Sequence, residues 1–248
     1  MSTPITYLQF LAVFVVPPVI ALAVTMPRPF AGRGRIAGVG VAALAAIALG
    51  YTTPWDNYLI ARGVWSYGDG TVEHRIWNAP VCEYLFILLQ SLLTGLWVAR
   101  LSPPDGDRTP VRGSLAGAAA WAVVALVGVA LLGVGRSYYL GAILAWAAPV
   151  LAFQWAYGGR YLWRYRRRCA IAVLVPTLYL ATVDRIAIAA GIWRLSPSQT
   201  TGLTVLGLPI EEGLFFLLTN LLLVQGLVLY FRVTDDWRTP EGVSVGWR

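Results

Sequence analysis

The chain has 248 residues, of which 58% are hydrophobic and only 12% charged, and its mean hydropathy is +0.65. This composition is typical of an integral membrane protein and excludes an ordinary soluble domain. The net charge of +7 comes from 19 arginines and no lysine, and no basic stripe with interleaved aromatic residues appears, so we also exclude a nucleic-acid partner.

Seven stretches are apolar and close to the roughly 20 residues that a membrane helix needs. In chain order they are predicted near 5–26, 36–57, 80–99, 113–134, 137–156, 169–192 and 209–231. The connections at 27–35, 100–112 and 157–168 are polar or rich in arginine, whereas those at 58–79 and 193–208 are longer and mixed. We therefore predict an all-α fold, a polytopic membrane helix bundle of about seven transmembrane helices.

Arginine placement predicts the orientation of this bundle. Most arginines lie near the three polar connections or after span seven, and the positive-inside rule assigns that face to the cytoplasm. They are Arg28, Arg33, Arg35, Arg100, Arg108, Arg112, Arg160, Arg164, Arg166, Arg167, Arg168, Arg232, Arg238 and Arg248. Because no basic residue precedes span one, we expect it to be retained rather than cleaved as a signal peptide. The predicted location is the cell membrane, with the amino terminus outside and the carboxyl terminus in the cytoplasm.

Two pairs of short segments indicate an internal repeat. "DNYLIARGVW" (Asp56–Trp65) aligns with "DRIAIAAGIW" (Asp184–Trp193) at an offset of 128, and "PVCEYLF" (Pro80–Phe86) aligns with "PIEEGLF" (Pro209–Phe215) at an offset of 129. Matching Asp, Gly, Trp, Pro and Glu in the same order is much less expected by chance than matching Leu or Val. The chain is therefore predicted to contain two homologous copies of one unit.

The repeat has a predicted orientation and boundaries. Spans two and three correspond to spans six and seven, an even number of crossings away, so the copies are parallel and related by an axis along the membrane normal. We predict a first repeat of three spans at 1–112 and a second repeat, a linking span plus three spans, at 113–248. Together they would form a single membrane domain whose acidic motifs lie at one depth near the outer face.

Five acids in these motifs are the predicted catalytic residues: Asp56, Asp184, Glu83, Glu211 and Glu212. Ionisable groups at membrane depth usually line an interior path or site. Adjacent residues on a helix point about 100° apart, so at least one of the two neighbouring glutamates should face the bundle interior. A simpler interpretation stays open, because an acid in a first helical turn is common and an interfacial aspartate can pair with arginine.

The same region is rich in aromatic residues, which form interfacial belts but can also stabilise a cation through their ring faces. The predicted substrate-binding residues are Trp55, Asn57, Tyr58, Trp65, Tyr84, Arg185, Trp193 and Phe215. No metal site is predicted, since His74 is the only histidine and no CxxC motif occurs. With zero lysines, a retinal Schiff base is excluded.

"PWDNYL" at Pro54–Leu59, together with the two Pro-x-x-Glu motifs, resembles the integral-membrane lycopene cyclases. That family is built from two homologous parts, which are separate subunits in some bacteria and fused in archaea and fungi. The resemblance covers nearly the whole chain and is nearest to the fused archaeal form. One departure is that the first copy has Cys82 where the second has Glu211.

The resemblance implies isomerisation of lycopene to β-carotene through γ-carotene. Each ring closure needs a proton added to a terminal alkene, a short-lived carbocation, and removal of a proton from a ring carbon. No net redox change occurs, so no cofactor is expected. The hypothesis is that Glu212 and Glu83 transfer the proton, with Glu211 next in line and Asp56 and Asp184 positioning them; which glutamate is the acid stays open.

The implied partners are the lipophilic carotenoid lycopene and membrane lipid, and a homo-oligomer is left open. Three alternatives also remain at this point. The first is a related carotenoid end-group cyclase that forms ε- or γ-rings or acts on a longer carotenoid. The second is a proton-coupled membrane transporter, which would also use parallel repeats and buried acids. The third is a subunit that binds carotenoid without converting it.

Overall fold

The fold is an all-α membrane bundle, seen in a computed structural model that describes residues 5–25, 34–101 and 109–238. Its helices are α1 Tyr7–Phe14, α2 Val16–Val24, α3 Gly34–Ala61, α4 Val81–Arg100, α5 Leu115–Leu131, α6 Tyr138–Arg164, α7 Arg166–Ala189 and α8 Ile210–Arg238. Six segments in the described ranges are long and apolar enough to cross a membrane, with α1 and α2 counted together, and α5 is a shorter apolar helix. The predicted multi-pass helical fold is confirmed.

The first span is interrupted where two prolines follow each other. Val15 separates α1 from α2, and Pro17 and Pro18 lie in the first turn of α2. Proline has no N–H to donate to the preceding turn, but it is well tolerated at the start of a helix. The break is therefore a consequence of the sequence, and the two short helices together still span Tyr7–Val24.

The predicted connection at 157–168 begins at a break but is largely helical. Helix α6 is interrupted at Gly158, whose φ of −136° and ψ of 22° are not helical, and it then continues to Arg164; α7 begins at Arg166. Arginine is a good helix former, and its long side chain can carry charge away from the apolar region, so the arginine cluster marks a membrane boundary rather than a helix end. Arg28, Arg33, Arg108 and Arg248, which contribute to the predicted orientation, lie outside the described residues.

Short strands connect the helices at the end of the bundle that carries the acids. They are β1 Trp65–Tyr67, β2 Arg75–Ile76, β3 Ala79–Pro80, β4 Trp193–Leu195, β5 Thr204–Val205 and β6 Leu208–Pro209. Strands β2 and β3 form a hairpin that leads into α4, and β5 and β6 form the corresponding hairpin before α8. The first residue of each hairpin turn has a positive φ, which is 57° for Trp77 and 52° for Leu206. Their positions differ by 129, the offset of the second sequence match.

Strands β1 and β4 pair antiparallel across the middle of the molecule. Trp65 pairs with Leu195, Ser66 with Arg194, and Tyr67 with Trp193. Each residue of β1 has its counterpart in β4 at an offset of 128, and exchanging the counterparts gives the same three pairs. Two copies related by a two-fold axis require this symmetry. The flanking hydrogen bonds are also reciprocal, since Gly68 N–H donates to the Ile192 carbonyl at 3.0 Å and Ser196 N–H donates to the Val64 carbonyl at 2.8 Å. The repeat boundaries at residues 112 and 113 stay a prediction.

A buried polar network fixes three helices below the acids. Gln90 Nε2 on α4 donates to Thr219 Oγ1 on α8 at 2.8 Å, and Thr94 Oγ1 donates to Asn220 Oδ1 at 2.6 Å. Asn220 Nδ2 in turn donates to Thr177 Oγ1 on α7 at 3.1 Å. Such bonds between helices replace water that the bilayer cannot supply. They set the register in which the first turns of α4 and α8 lie side by side.

Helices α5 and α6 pack closely through glycine. A Cβ atom at Gly128 would lie 2.5 Å from the Ala145 backbone nitrogen, which is too short for any real contact. We expect Gly128→Ala to force the helices apart and to lower the free energy of unfolding by about 1–3 kcal/mol, as over-packing usually does. Thermal unfolding in detergent measures this. Gly50→Ala is the matched control, because a Cβ there meets nothing within 4 Å; equal melting temperatures for the two variants would contradict the prediction.

Candidate active site

Four carboxyl groups from four helices line one cavity near the paired strands. Asp56 lies near the end of α3 and Asp184 near the end of α7, while Glu83 and Glu212 lie in the first turns of α4 and α8. Helices α3 and α7 thus end, and α4 and α8 begin, at the same level of the bundle. The antiparallel pairing of β1 with β4 brings both copies of this arrangement to a single space.

Glu83 is held by two phenols. Tyr67 Oη donates to its Oε1 at 2.5 Å, and Tyr7 Oη donates to its Oε2 at 3.2 Å. Trp65 Nε1 donates to Tyr67 Oη at 3.1 Å, so the phenol oxygen already accepts one hydrogen bond. Burial, together with the nearby charge of Glu83, raises the pKa of Tyr67 well above its ordinary value. Tyr67 is therefore a neutral hydroxyl donor to Glu83.

The second copy has a related but different set of contacts. The Tyr139 side chain lines the cavity together with Glu212. Asp184 Oδ1 accepts a hydrogen bond from Trp193 Nε1 at 3.0 Å, whereas its Oδ2 is buried with no hydrogen-bond partner among the described residues. Buried polar atoms are nearly always paired, so an unpaired carboxyl oxygen at a cavity wall points to a functional group.

Aromatic rings form much of the remaining wall. The Trp55 and Phe215 rings are nearly parallel, with an interplanar angle of 4° and centroids 5.9 Å apart, and Trp55 also stacks on Trp146 at 4.8 Å. On the opposite side, Trp193 packs against Tyr7 at 5.0 Å. Trp65 also lines the cavity. The faces of such rings attract positive charge.

Three predicted substrate-binding residues, Asn57, Tyr58 and Tyr84, do not line this cavity. Asn57 and Tyr84 contact the first hairpin, and Tyr58 lies on the outer surface. Asn57 Oδ1 accepts from the Asn78 and Ala79 backbone N–H groups at 2.8 and 2.9 Å, and Asn57 Nδ2 donates to Tyr84 Oη at 3.1 Å. Tyr58 is 52% exposed, and its hydroxyl accepts from Tyr138 at 3.2 Å. Asn57 and Tyr84 thus hold the strand that leads to Glu83.

Two further predicted residues, Glu211 and Arg185, lie beside the second hairpin rather than at the cavity. Glu211 is fully buried, and its Oε1 accepts from both the backbone N–H and the hydroxyl of Thr201 at 2.7 Å. The Arg185 side chain lies against Gly207 in the hairpin turn. Because Glu211 and Glu212 point in different directions on α8, only Glu212 reaches the cavity.

Sequence reasoning missed the three tyrosines at the glutamates. A signal was present for two of them, since a Tyr–Leu pair begins both span one and span five, at Tyr7 and at Tyr139. The first backbone hydrogen bonds of these two spans also correspond. Tyr7 N–H donates to the Thr71 carbonyl at 2.8 Å, and Tyr139 N–H donates to the Gln199 carbonyl at 3.0 Å. The helical segments that precede α3 and α7 thus also correspond to each other.

A second, more apolar cavity of about 120 Å³ adjoins the first. It is lined by α3, α4, α6 and α8, and it shares Thr52, Ile87 and Phe215 with the cavity that contains the carboxyl groups. Two of its lining residues on α3 are open to the surroundings, Ile47 at 62% and Tyr51 at 43% exposure. In the described part of the chain, no three His, Cys, Asp or Glu side chains are grouped to bind a metal ion.

Comparison with known proteins identifies the family of this chain. The profile of the family described as lycopene cyclase matches residues 135–231. The chain is 57% identical over 236 residues to lycopene beta-cyclase of Halobacterium salinarum, covering 94% of this chain and 99% of the relative. It is 35% identical over 195 residues to the bifunctional lycopene cyclase/phytoene synthase of Aspergillus niger, covering 75% of this chain and 34% of that protein. No solved structure matches. The chain therefore belongs to the lycopene cyclase family.

Proposed function

We propose that this protein is a lycopene β-cyclase, an isomerase that closes the ends of lycopene into β-ionone rings and gives β-carotene via γ-carotene. The observation that carries this proposal is the single cavity that Glu83, Glu212, Asp56 and Asp184 share between aromatic walls. The name and high identity of the Halobacterium relative support the same substrate and product.

The chemistry needs a proton donor, a proton acceptor and an environment that tolerates a cation. Carboxyl groups can serve as donor and acceptor. We assign these roles to Glu83 and Glu212, with Asp56 and Asp184 positioning them and stabilising positive charge. Exclusion of water also matters, because water would trap the cation as an alcohol. No step transfers an electron, so the proposal requires no redox cofactor.

The aromatic lining supplies the cation-stabilising surface in this proposal. Trp55, Trp65, Trp193 and Phe215 line the cavity and would face the reacting end group. The predicted residues outside the lining act differently. Asn57 and Tyr84 would fix the first hairpin, and Glu211 would fix the second through Thr201. Tyr58 and Arg185 would belong to the outer surface.

In this proposal the adjoining cavity receives the part of the polyene chain next to the reacting end group. Lycopene is a long hydrocarbon that dissolves in the bilayer, so its end group can reach the carboxyl groups only if its chain occupies apolar space. The second cavity offers that space, and the exposed Ile47 and Tyr51 place its opening on the α3 surface. The two ends of one molecule would enter and react in turn.

A bulky side chain in this second cavity should slow the reaction. Ala48 lines it, and we expect Ala48→Trp to lower conversion of lycopene at least about tenfold, because over-packing a filled site costs about 1–3 kcal/mol. Ala46→Trp is the control, since Ala46 is exposed on the opposite side of α3. Pigments extracted from lycopene-accumulating cells give the measurement. Equal conversion by both variants would rule out this cavity as the polyene site.

We further propose how the protein is oriented in the membrane and where its two repeats begin and end. The amino terminus would lie outside and the carboxyl terminus in the cytoplasm of the cell membrane, with lipid contacting the outward helix surfaces. Under this orientation the carboxyl cavity lies near the outer face. The repeats would comprise residues 1–112 and 113–248. A homo-oligomer stays a prediction.

Expression in lycopene-accumulating cells tests the proposed function. A lycopene β-cyclase converts the pigment to β-carotene, which differs in absorption and chromatographic retention. Rings of ε- or γ-type would favour a related cyclase instead. Unchanged lycopene alongside membrane-inserted protein would overturn the proposal and favour a transporter or a binding subunit.

A further inference from the structure

The two halves of the cavity match at their four acids and at Trp65 and Trp193, but they differ at other lining positions. Tyr7 donates a hydrogen bond to Glu83, and Tyr139 lines the cavity together with Glu212, from helices whose first turns correspond. Tyr67 adds a second phenol to Glu83. At the offset of 128, its counterpart in the second copy is Leu195, which lines the cavity and has no hydrogen-bond donor in its side chain.

The direction of the Tyr67 hydrogen bond is fixed by its neighbour. Tryptophan Nε1 can only donate, so Tyr67 Oη must accept from Trp65 and directs its own O–H towards Glu83. With Tyr7 on the other oxygen, both Glu83 oxygens act as acceptors. An ionised carboxylate meets this requirement, whereas a protonated carboxyl would have to use one oxygen as a donor.

Resting on the proposed function, we infer that Glu83 is the base and Glu212 the acid, with Tyr67 as the positioning residue that sets this difference. Glu212 lacks the second phenol, so one of its oxygens can carry the proton that reacts. Glu212 O–H transfers this proton to the terminal double bond of the substrate. The neighbouring double bond attacks the resulting tertiary cation and forms the ring C–C bond. Glu83 then removes a proton from the ring carbon, and the C–H electron pair becomes the ring double bond.

This sequence balances without an oxidant or a co-reactant. After one ring closes, Glu83 holds a proton and Glu212 has lost one, so a single proton must return before the next ring. Asp56 and Asp184 line the same cavity, and the buried Asp184 Oδ2 has no hydrogen-bond partner among the described residues. These aspartates are the groups through which Glu83 would release its proton to water and Glu212 would regain one.

Product analysis of three variants in lycopene-accumulating cells tests the inference. Glu212→Gln should leave lycopene unreacted. Glu83→Gln should still consume lycopene, but the cation would lose a different proton or capture water, giving ε- or γ-type rings or alcohols. Tyr67→Phe should lower the β-ring share of products about tenfold, the equivalent of one hydrogen bond to a charged group, while lycopene consumption stays near that of the wild type. Tyr157→Phe, at a residue that is 48% exposed, is the matched control.

The outcomes separate this inference from the proposed function. If the wild type makes β-carotene but the two glutamine variants show the reverse pattern, the assignment of acid and base is overturned alone. An unchanged β-ring share in Tyr67→Phe would overturn it as well, and so would a Glu83→Gln variant that leaves lycopene unreacted. A wild type that forms no ring would overturn the proposed function and this inference together.

Discussion

Glu212→Gln is expected to lower β-carotene formation by roughly 10²- to 10⁴-fold, the usual contribution of a general acid or base. The amide has nearly the shape of the carboxyl group but cannot deliver a proton to an alkene. The amide occupies the same space at the cavity wall, so the fold should be retained. Pigment yield per amount of membrane-inserted protein is the measurement.

Glu73→Gln provides the matched control for this variant. Glu73 is exposed in the connection between β1 and β2, so the same chemical change there should leave pigment yield unaltered. A Glu212→Gln protein that makes β-carotene at the wild-type rate would remove Glu212 from the reaction. The proposed mechanism would then lack one of its two proton-transfer groups.

Trp55→Leu should lower the rate of ring closure about 30-fold. The Trp55 ring lies beside the Phe215 and Trp146 rings at the cavity wall, and a desolvated cation–π contact contributes about 2 kcal/mol. Leucine would retain apolar contact but not the ring face. Initial rates in membranes supplied with lycopene measure the loss, since steady-state pigment in cells can hide a partial defect.

The control for Trp55→Leu is Trp77→Leu. Trp77 is 74% exposed in the turn between β2 and β3, and the corresponding residue of the second hairpin is already a leucine, Leu206. The control variant should therefore fold and react like the wild type. Equal rates for the two variants would mean that the Trp55 ring face does not stabilise the transition state.

Hydropathy and the repeat predicted much of this molecule. In the described residues, the seven apolar stretches correspond to six segments long enough to span a membrane and to the shorter helix α5, because hydropathy reports directly which segments a bilayer accepts. The repeat predicted that Asp56, Asp184, Glu83 and Glu212 lie at one level, and all four line one cavity. Their catalytic roles stay a proposal.

Other features depended on contacts that no local pattern contains. Which of Glu211 and Glu212 faces the cavity depends on how α8 is rotated against its neighbours, and the hydrogen bonds from Thr201 to Glu211 form across the second hairpin. Asn57 looks like a site residue beside Asp56, yet its side chain satisfies backbone N–H groups 21 and 22 residues away. Long-range pairing of this kind is absent from sequence periodicity.

Tyr67 illustrates a different reason for a missed residue. Comparison of the repeats directs attention to positions that match, such as Trp65 and Trp193. The difference at Tyr67 and Leu195 carries no such signal, although it breaks the equivalence of the two glutamates. In a duplicated site, positions that differ between the copies are where the separate roles of acid and base can be sought.

Deuterium oxide shows whether exchangeable carboxyl groups supply the proton for ring closure. Membranes containing the wild-type protein would be equilibrated in deuterium oxide and supplied with lycopene, and the carotenoid products would be analysed by mass spectrometry. Each ring formed should gain one deuterium, bound to the carbon that was protonated. Ringed products without deuterium would show instead that the hydrogen moves within the substrate and that the carboxyl groups are not its source.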